Sequence, residues 1–587
     1  MLTLGTLQFK LNTIPGMLHQ RALEFPDTPC YLFPERGQTC TWRSLWQEVK
    51  AVAVGLRQLG IQRGDRIAIL MEGCAEQLIC IYAAIAAGGV AVPLSTYLTK
   101  EELRGCLLEA RPAVFIIGSA EQHIAYTQLQ GVVADRPGTE ALSDTHWIPH
   151  HAFVLGSAVD SSSFFRNYKT LKSEPKPEYR PAIDSLPVTV HTPAFLLFSS
   201  GTTGKPKGIL RSAASFMAKK PTDEIVKAPA FLSFFARKGN VYVNRFAGLS
   251  LLPLYHLAGI GILLTPLQVC NIRLAMLTRF NPVRALQSIA QTKARFLMGT
   301  PHMLQAMMAL EPATTQLESV LGIIFASAAV RPHVVKQAIQ SCKNLYFFSV
   351  SYGSTETGAV ANGTCFLPNN RHVAVSLLLR VMRRLNYLDG EIALEAFFQT
   401  TASIGGKVAR QVEVGILSPH TGAWLPVGQE GEILVRSHRI MPYQHTGTMD
   451  AQQEEGWFKT GDLGYVDARN CIMITDRLKH IISRGGEKIS PAEIEKIMQQ
   501  QPGIEEAVVV GVPDVLYGEV IGAAFTEKTG GAVSIEVLRE TLQASLSSFK
   551  VPQYFLRLSA LPLNANGKIA VAEVRSELQH MIQVQHA

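Results

Sequence analysis

The residues best suited to do chemistry lie in LLFSSGTTGKPKG, Leu196 to Gly208. An apolar run leads into a loop with the hydroxyls Ser199, Ser200, Thr202 and Thr203, the glycines Gly201, Gly204 and Gly208, and the lysines Lys205 and Lys207. Glycines let backbone N–H groups approach a polyphosphate closely, hydroxyls donate further hydrogen bonds, and lysines add positive charge. The ordered mixture points to a phosphate cradle rather than a plain surface turn. It is not a Walker A loop, because Pro206 follows Lys205 where that loop requires Ser or Thr, and the glycine spacing differs.

This loop resembles the phosphate loop of the adenylate-forming superfamily: acyl-CoA synthetases, nonribosomal-peptide adenylation domains and firefly luciferase. Further segments extend the resemblance in the same order over nearly the whole chain. PLYHLAG, Pro253 to Gly259, looks like the family's acyl-site segment with its aromatic and His256. Gly299-Thr300-Pro301 looks like its substrate-pocket loop. YGSTETG, Tyr352 to Gly358, is similar to its adenine, phosphate and magnesium motif, and WFKTGDLG, Trp457 to Gly464, to its ribose-binding segment. DRLKHIISRGGEKISPAEIE, Asp476 to Glu495, resembles the hinge, and PLNANGK, Pro562 to Lys568, the catalytic-lysine loop.

The resemblance implies roles that the residue types can perform. Tyr352, Gly353 and Ser354 would contact the nucleotide, Thr355 the α-phosphate, and Glu356 a Mg²⁺ ion bridging the ATP phosphates. Asp462 offers two acceptor oxygens to a ribose diol, and Arg477 can pair with ribose or phosphate. Lys479 would be the pivot of a mobile small domain, Gly486 would admit a thiol arm, and Lys568 would stabilise carboxylate attack on the α-phosphate. Each has a bland alternative: a loop charge for Glu356, a turn aspartate for Asp462, a surface ion pair for Arg477, a solvated lysine for Lys568 and a satisfied core histidine for His256. Three segments depart from the family pattern. FASAAVRP, Phe325 to Pro332, stands where a more glycine-rich loop is expected against the adenine. ILRSAASF follows Lys207 in place of a histidine-bearing helix start, and a longer stretch lies between Gly358 and Ile404. The arginines Arg380, Arg383 and Arg384 in that stretch suggest an amphipathic helix.

These motifs must be carried on a scaffold, and the chain has βα rhythm. Ser44 with Gln47 suggests a capping box for a helix bearing Leu45, Val49, Val52, Leu56 and Leu59, ended by Gly60. A strand Arg66 to Leu70, an apolar helix around Leu78 to Ala87 and a strand Val90 to Pro93 follow. The Ser/Pro-rich stretch Pro137 to Pro187 reads as connecting surface loop. Near the end, strands Ala507 to Val510, Ile521 to Thr526 and Tyr554 to Leu558 flank a helix Ser534 to Ser545. The expected fold class is α/β, with a large N-terminal domain of βα-layered subdomains over 1–478 and a small hinged α+β domain over 479–587.

Composition limits the function classes. With 587 residues, 47% hydrophobic and 17% charged, the chain can bury a large core. Its net charge of +8 is spread without a run of five like charges, which argues against a nucleic-acid partner. Nine scattered cysteines without a paired spacing suggest reduced thiols in a cytoplasmic compartment. Phe246 to Asn271 holds no charge, yet Pro253, His256, Pro266 and Gln268 interrupt it, so a buried strand and loop is expected rather than a membrane span. The expected activity is acyl- or aryl-CoA synthesis from a carboxylic acid, ATP, Mg²⁺ and CoA. An acyl-AMP ligase, or an adenylation enzyme loading a carrier protein, is the alternative, and a degenerate nucleotide-binding protein the non-enzymatic one.

Overall fold

A computed structural model describes residues 2–4, 7–9, 12–118, 149–155, 165–172, 188–200, 206–216, 247–268, 272–310, 316–328, 330, 332–367, 392–399, 403–419, 421–437, 440, 453–454, 456–480, 482–484, 487–514, 517–528, 531–546, 548–564 and 569–586. The arginine-bearing segment Arg380 to Arg384 lies outside them.

The alternation of short β-rich runs and apolar helices builds one sheet of seven strands. Its order is Pro206–Ser212, Pro193–Ser200, Val90–Leu94, Arg66–Leu70, Val114–Ile117, His151–Val154 and Phe165–Asn167. The pairings are parallel except for the hairpin that the first two strands form. Val90–Leu94 and Val114–Ile117 are buried throughout, as strands covered on both faces must be. Helices Trp42–Gln58 and Ala75–Ala86 pack together beside this sheet, burying Val49, Val52, Leu56, Leu78 and Ile81.

A second sheet runs Pro29–Phe33, Arg273–Met276, Ala247–Ser250, Ala294–Gly299, Gly322–Phe325 and Phe347–Ser354, all parallel. It then turns antiparallel at Gly358–Phe366 and continues through Ser403–Val408, Cys471–Arg477, Trp457–Val466, Gly431–Ser437 and Val412–Leu417. This continuation carries the ribose motif onto the same sheet as YGSTETG. A separate five-stranded sheet holds Glu487–Ile489, Ile482–Arg484, Gly518–Glu527, Ile504–Asp514 and Tyr554–Arg557. Helices Pro491–Gln499, Ile535–Ser545 and Val571–His586 pack with it around Ile494, Leu542 and Val574.

Three expectations need correction. The first long helix is capped at Thr41, whose Oγ1 accepts the Ser44 N–H while its own N–H donates to Ser44 Oγ, so it begins three residues before the proposed box. The Ser/Pro-rich stretch contributes two short strands, His151–Val154 and Phe165–Asn167, to the sheet edge. The charge-free segment is a buried strand, Ala247–Ser250, followed by two short helices, Leu257–Leu263 and Thr265–Gln268, rather than by loop. Among the described residues no helix is long and apolar enough to cross a membrane.

Candidate active site

The phosphate motif sits where a buried strand ends. Phe195, Leu196 and Leu197 anchor Pro193–Ser200 in the core, and the strand pairs antiparallel with Pro206–Ser212, placing Ser199 opposite Lys207. Two strands locked in register fix the entry and exit of the connecting loop. Gly201, Thr202, Thr203, Gly204 and Lys205 lie outside the described residues, and the side chains of Ser199 and Ser200 are not described. Lys207 is partly exposed just beyond the loop.

Strand Phe347–Ser354 emerges from the parallel half of the second sheet, and such carboxyl ends are where α/β folds bind ligands. The chain reverses tightly into Gly358–Phe366. A Cβ at Gly353 would collide with the Gly358 carbonyl, and Gly358 has φ +70°, so both glycines are required by the turn. Ser354 N–H donates to Thr357 Oγ1 at 3.0 Å and Thr357 N–H to Ser354 Oγ at 3.2 Å. The two hydroxyls thereby brace the turn from within, leaving Thr355 and Glu356 partly exposed on it. Ser354 is thus a brace of the turn, a role its type did not reveal.

Asp462 lies within strand Trp457–Val466 and is 6% exposed, not in an exposed turn. Its Oδ2 accepts the Tyr352 hydroxyl at 2.7 Å, and its Oδ1 meets Arg477 Nε at 2.8 Å. Asp462 and Arg477 are cross-strand partners, so backbone register sets this pair. A carboxylate has about four lone-pair sites, so lone pairs remain for a diol. Burial, reinforced by the Asp462 charge, holds the Tyr352 phenol well above its ordinary pKa. Gly461, at φ +71°, turns its N–H onto Glu432 Oε1 at 3.2 Å, fixing the approach to Asp462.

His256 caps helix Leu257–Leu263 with extended backbone, its ring edge-on to Tyr255 at 4.5 Å. Burial pushes the Tyr255 phenol up to about 12 against a hydrogen bond from Ser95. Thr300 caps the helix Pro301–Met308, accepting Met303 N–H at 3.2 Å. After strand Gly322–Phe325, Ser327 adopts φ +67°. Gly486 and Lys568 lie outside the described residues, although a bridge between Leu563 and Ile569 frames the lysine's segment. The side chain of Lys479 is not described.

The structure therefore brings Tyr352, Asp462 and Arg477 into one hydrogen-bonded cluster, with Glu356 four residues from Tyr352 around a braced turn. Arg211, which follows the phosphate motif, joins them: its Nη1 donates to the Glu356 carbonyl at 3.2 Å. The sequence reading missed Arg211 and Thr357, since an arginine in an apolar strand and a second turn hydroxyl carry no motif signal of their own. Among the described residues no three His, Cys, Asp or Glu side chains group to hold a metal. A single carboxylate such as Glu356 nevertheless suits Mg²⁺, which takes one or two protein carboxylates and completes its shell with substrate phosphates and water.

Residues 18–443 match the family model of AMP-binding enzymes, and residues 493–568 that of the AMP-binding enzyme C-terminal domain. The chain is 25% identical to 4-coumarate–CoA ligase 2 of Oryza sativa, over 95% of this chain and 91% of that one. It is 26% identical to a 4-chlorobenzoate–CoA ligase of Arthrobacter, over 94% and 93%. The fold is also that of o-succinylbenzoate CoA synthetase from Bacillus subtilis, solved with an acyl-adenylate, at TM-score 0.68 and 22% identity over 95% and 97% of the two chains.

Proposed function

Because this chain belongs to the AMP-binding enzyme family, we propose that it activates a carboxylic acid with ATP and passes the acyl group to the thiol of CoA. In the first half-reaction a carboxylate oxygen attacks the α-phosphorus, the bond to the bridging oxygen breaks, and pyrophosphate leaves. In the second, the CoA sulfur attacks the acyl carbonyl carbon, the thiol proton passes to solvent, and AMP leaves.

The observation that carries this reading is the Tyr352–Asp462–Arg477 cluster beside the Glu356 turn, built on one continuous sheet. Asp462 would accept the ribose hydroxyls while Arg477 and Tyr352 hold its carboxylate in place. Thr355 would donate to the α-phosphate, and the Ser199 to Lys207 segment would cradle the outer phosphates. Mg²⁺, when bound, would neutralise phosphate charge, with Glu356 as its protein ligand. His256 with Tyr255 would line the acyl site. Lys568, carried on a small domain of residues 479–587 that pivots at Lys479, would stabilise charge as the carboxylate attacks.

ATP–pyrophosphate exchange and hydroxylamine-trapped adenylation, run over short, long-chain and aromatic acids with and without CoA, test this. Acid-dependent exchange with thioester formed only when CoA is present is expected. Absence of exchange with every acid would refute adenylation, and adenylate that CoA cannot discharge would replace the ligase with an acyl-AMP ligase or carrier-loading enzyme.

A further inference from the structure

We propose that Arg211 is a positioning residue that fixes the Glu356 peptide and so orients the Glu356 carboxylate that would hold Mg²⁺ when Mg²⁺-ATP binds; this rests on the function proposed above. Arg211 lies in strand Pro206–Ser212, which leaves the phosphate motif, and it falls within ILRSAASF, one of the segments that depart from the family pattern. It is 0% exposed, among the largest fully buried side chains of the molecule. A fully buried guanidinium is costly to place, so each contact it makes matters. Nη1 donates to the Glu356 carbonyl at 3.2 Å, across 145 residues of sequence.

The guanidinium also faces an aromatic ring. Its carbon lies 5.9 Å from the ring centre of Phe216, which packs edge-on against Phe195 at 5.5 Å. Phe195 belongs to the strand entering the phosphate motif. Phe216 also lies within contact distance, 3.9 Å, of where a Cβ at Gly261 would be, in the helix that follows His256. Arg211 therefore stands where the strand leaving the phosphate motif, the Glu356 turn and the acyl-site helix meet. Thr357 and Ser354 brace the turn internally, but of these contacts only the one from Arg211 ties Glu356's own carbonyl to the phosphate-motif strand. A shift of that peptide would re-aim the carboxylate while leaving the ribose contacts intact.

Calorimetric titration of the full-length protein with ATP plus Mg²⁺, and with ATP plus EDTA, tests the proposal. Arg211→Met should bind Mg²⁺-ATP about tenfold more weakly, the size expected for a lost charge-assisted hydrogen bond, while metal-free ATP binds as in wild type. Arg211→Lys keeps the charge but not the fork, so it should lose about threefold, again only with Mg²⁺. Wild-type affinity for Mg²⁺-ATP in a folded Arg211→Met, or equal losses with and without Mg²⁺, would overturn the assignment. Should Arg211→Met fail to fold, Arg211→Lys decides by the same comparison. A wild-type protein that binds no nucleotide would instead overturn the proposed function itself.

Discussion

Asp462 carries two bonds of different worth. Arg477 is half exposed, so their ion pair adds little to stability by itself, whereas the Tyr352 hydroxyl is buried against the carboxylate. Asp462→Ala would leave that hydroxyl without its acceptor and should cost about 1–3 kcal/mol of stability as well as nucleotide binding. Asp462→Asn keeps an acceptor oxygen, so it should unfold near wild-type temperature yet bind ATP about tenfold more weakly, and a melting curve beside a titration separates the two losses. Glu356→Ala, on a partly exposed turn, should leave the melt unchanged while adenylation falls about 10²-fold. Tyr352 gives a pH signature. Because its folded pKa is raised above the ordinary 10.0, its contribution is complete below pH 10 and is lost as pH climbs beyond it. Tyr352→Phe should therefore show a shallower fall in melting temperature above pH 10 than wild type, and identical slopes would contradict the buried phenol. At this scale the residue types were legible from sequence, because a carboxylate, a hydroxyl and a lysine advertise their chemistry. The partnerships were not, since Tyr352 and Asp462 are joined across 110 positions and Arg211 and Glu356 across 145.

Elements were legible where local pattern decides them. Strand Arg66–Leu70 has the boundaries its apolar run suggested, and helix Ile535–Ser545 starts at the Ser534 cap. Tertiary pairing overruled pattern elsewhere: His151–Val154 and Phe165–Asn167 lie in a stretch rich in turn residues, yet an open parallel edge recruits them as strands. The final helix, Val571–His586, buries Val574 and Leu578 without a cap motif at its start to announce it. The segment FASAAVRP offers a test of local conformation. Ser327 occupies a left-handed conformation at φ +67°, where glycine is at ease and serine is strained, and the preceding Ala326 N–H is held by the Gly299 carbonyl at 3.0 Å. The strain resides in the backbone, so Ser327→Gly should relieve it and raise stability by about 0.5–1 kcal/mol, net of the extra unfolded-state entropy of glycine. An unchanged or lower melting temperature would mean that the Ser327 side chain contributes more than its backbone costs.

Asp476, at the end of the strand bearing Arg477, accepts hydrogen bonds from Ser490 Oγ and from Ala492 N–H at 3.4 Å, at the start of helix Pro491–Gln499. These contacts straddle Lys479 and connect the large sheet to the smaller one, so rotation about that residue would exchange them for others. A hinged unit can present different faces to one site in successive steps, and on the proposed pivot Lys568 would serve the first step alone. Lys568→Ala should lose adenylation by about 10²–10³, the usual cost of removing one preorganised charge-stabilising donor. Supplied with preformed acyl-adenylate and CoA, the same variant should form thioester at close to the wild-type rate, because pyrophosphate departure is already complete. Gly486→Trp should show the reverse pattern, since a bulky ring would crowd the thiol's approach while leaving carboxylate and ATP to react. Measured as two half-reactions on each variant, opposite defects would mean that one small domain serves both steps by turning. Equal losses in both steps for Lys568→Ala would mean that the lysine supports the site in a single fixed arrangement, and the pivot at Lys479 would have to be abandoned.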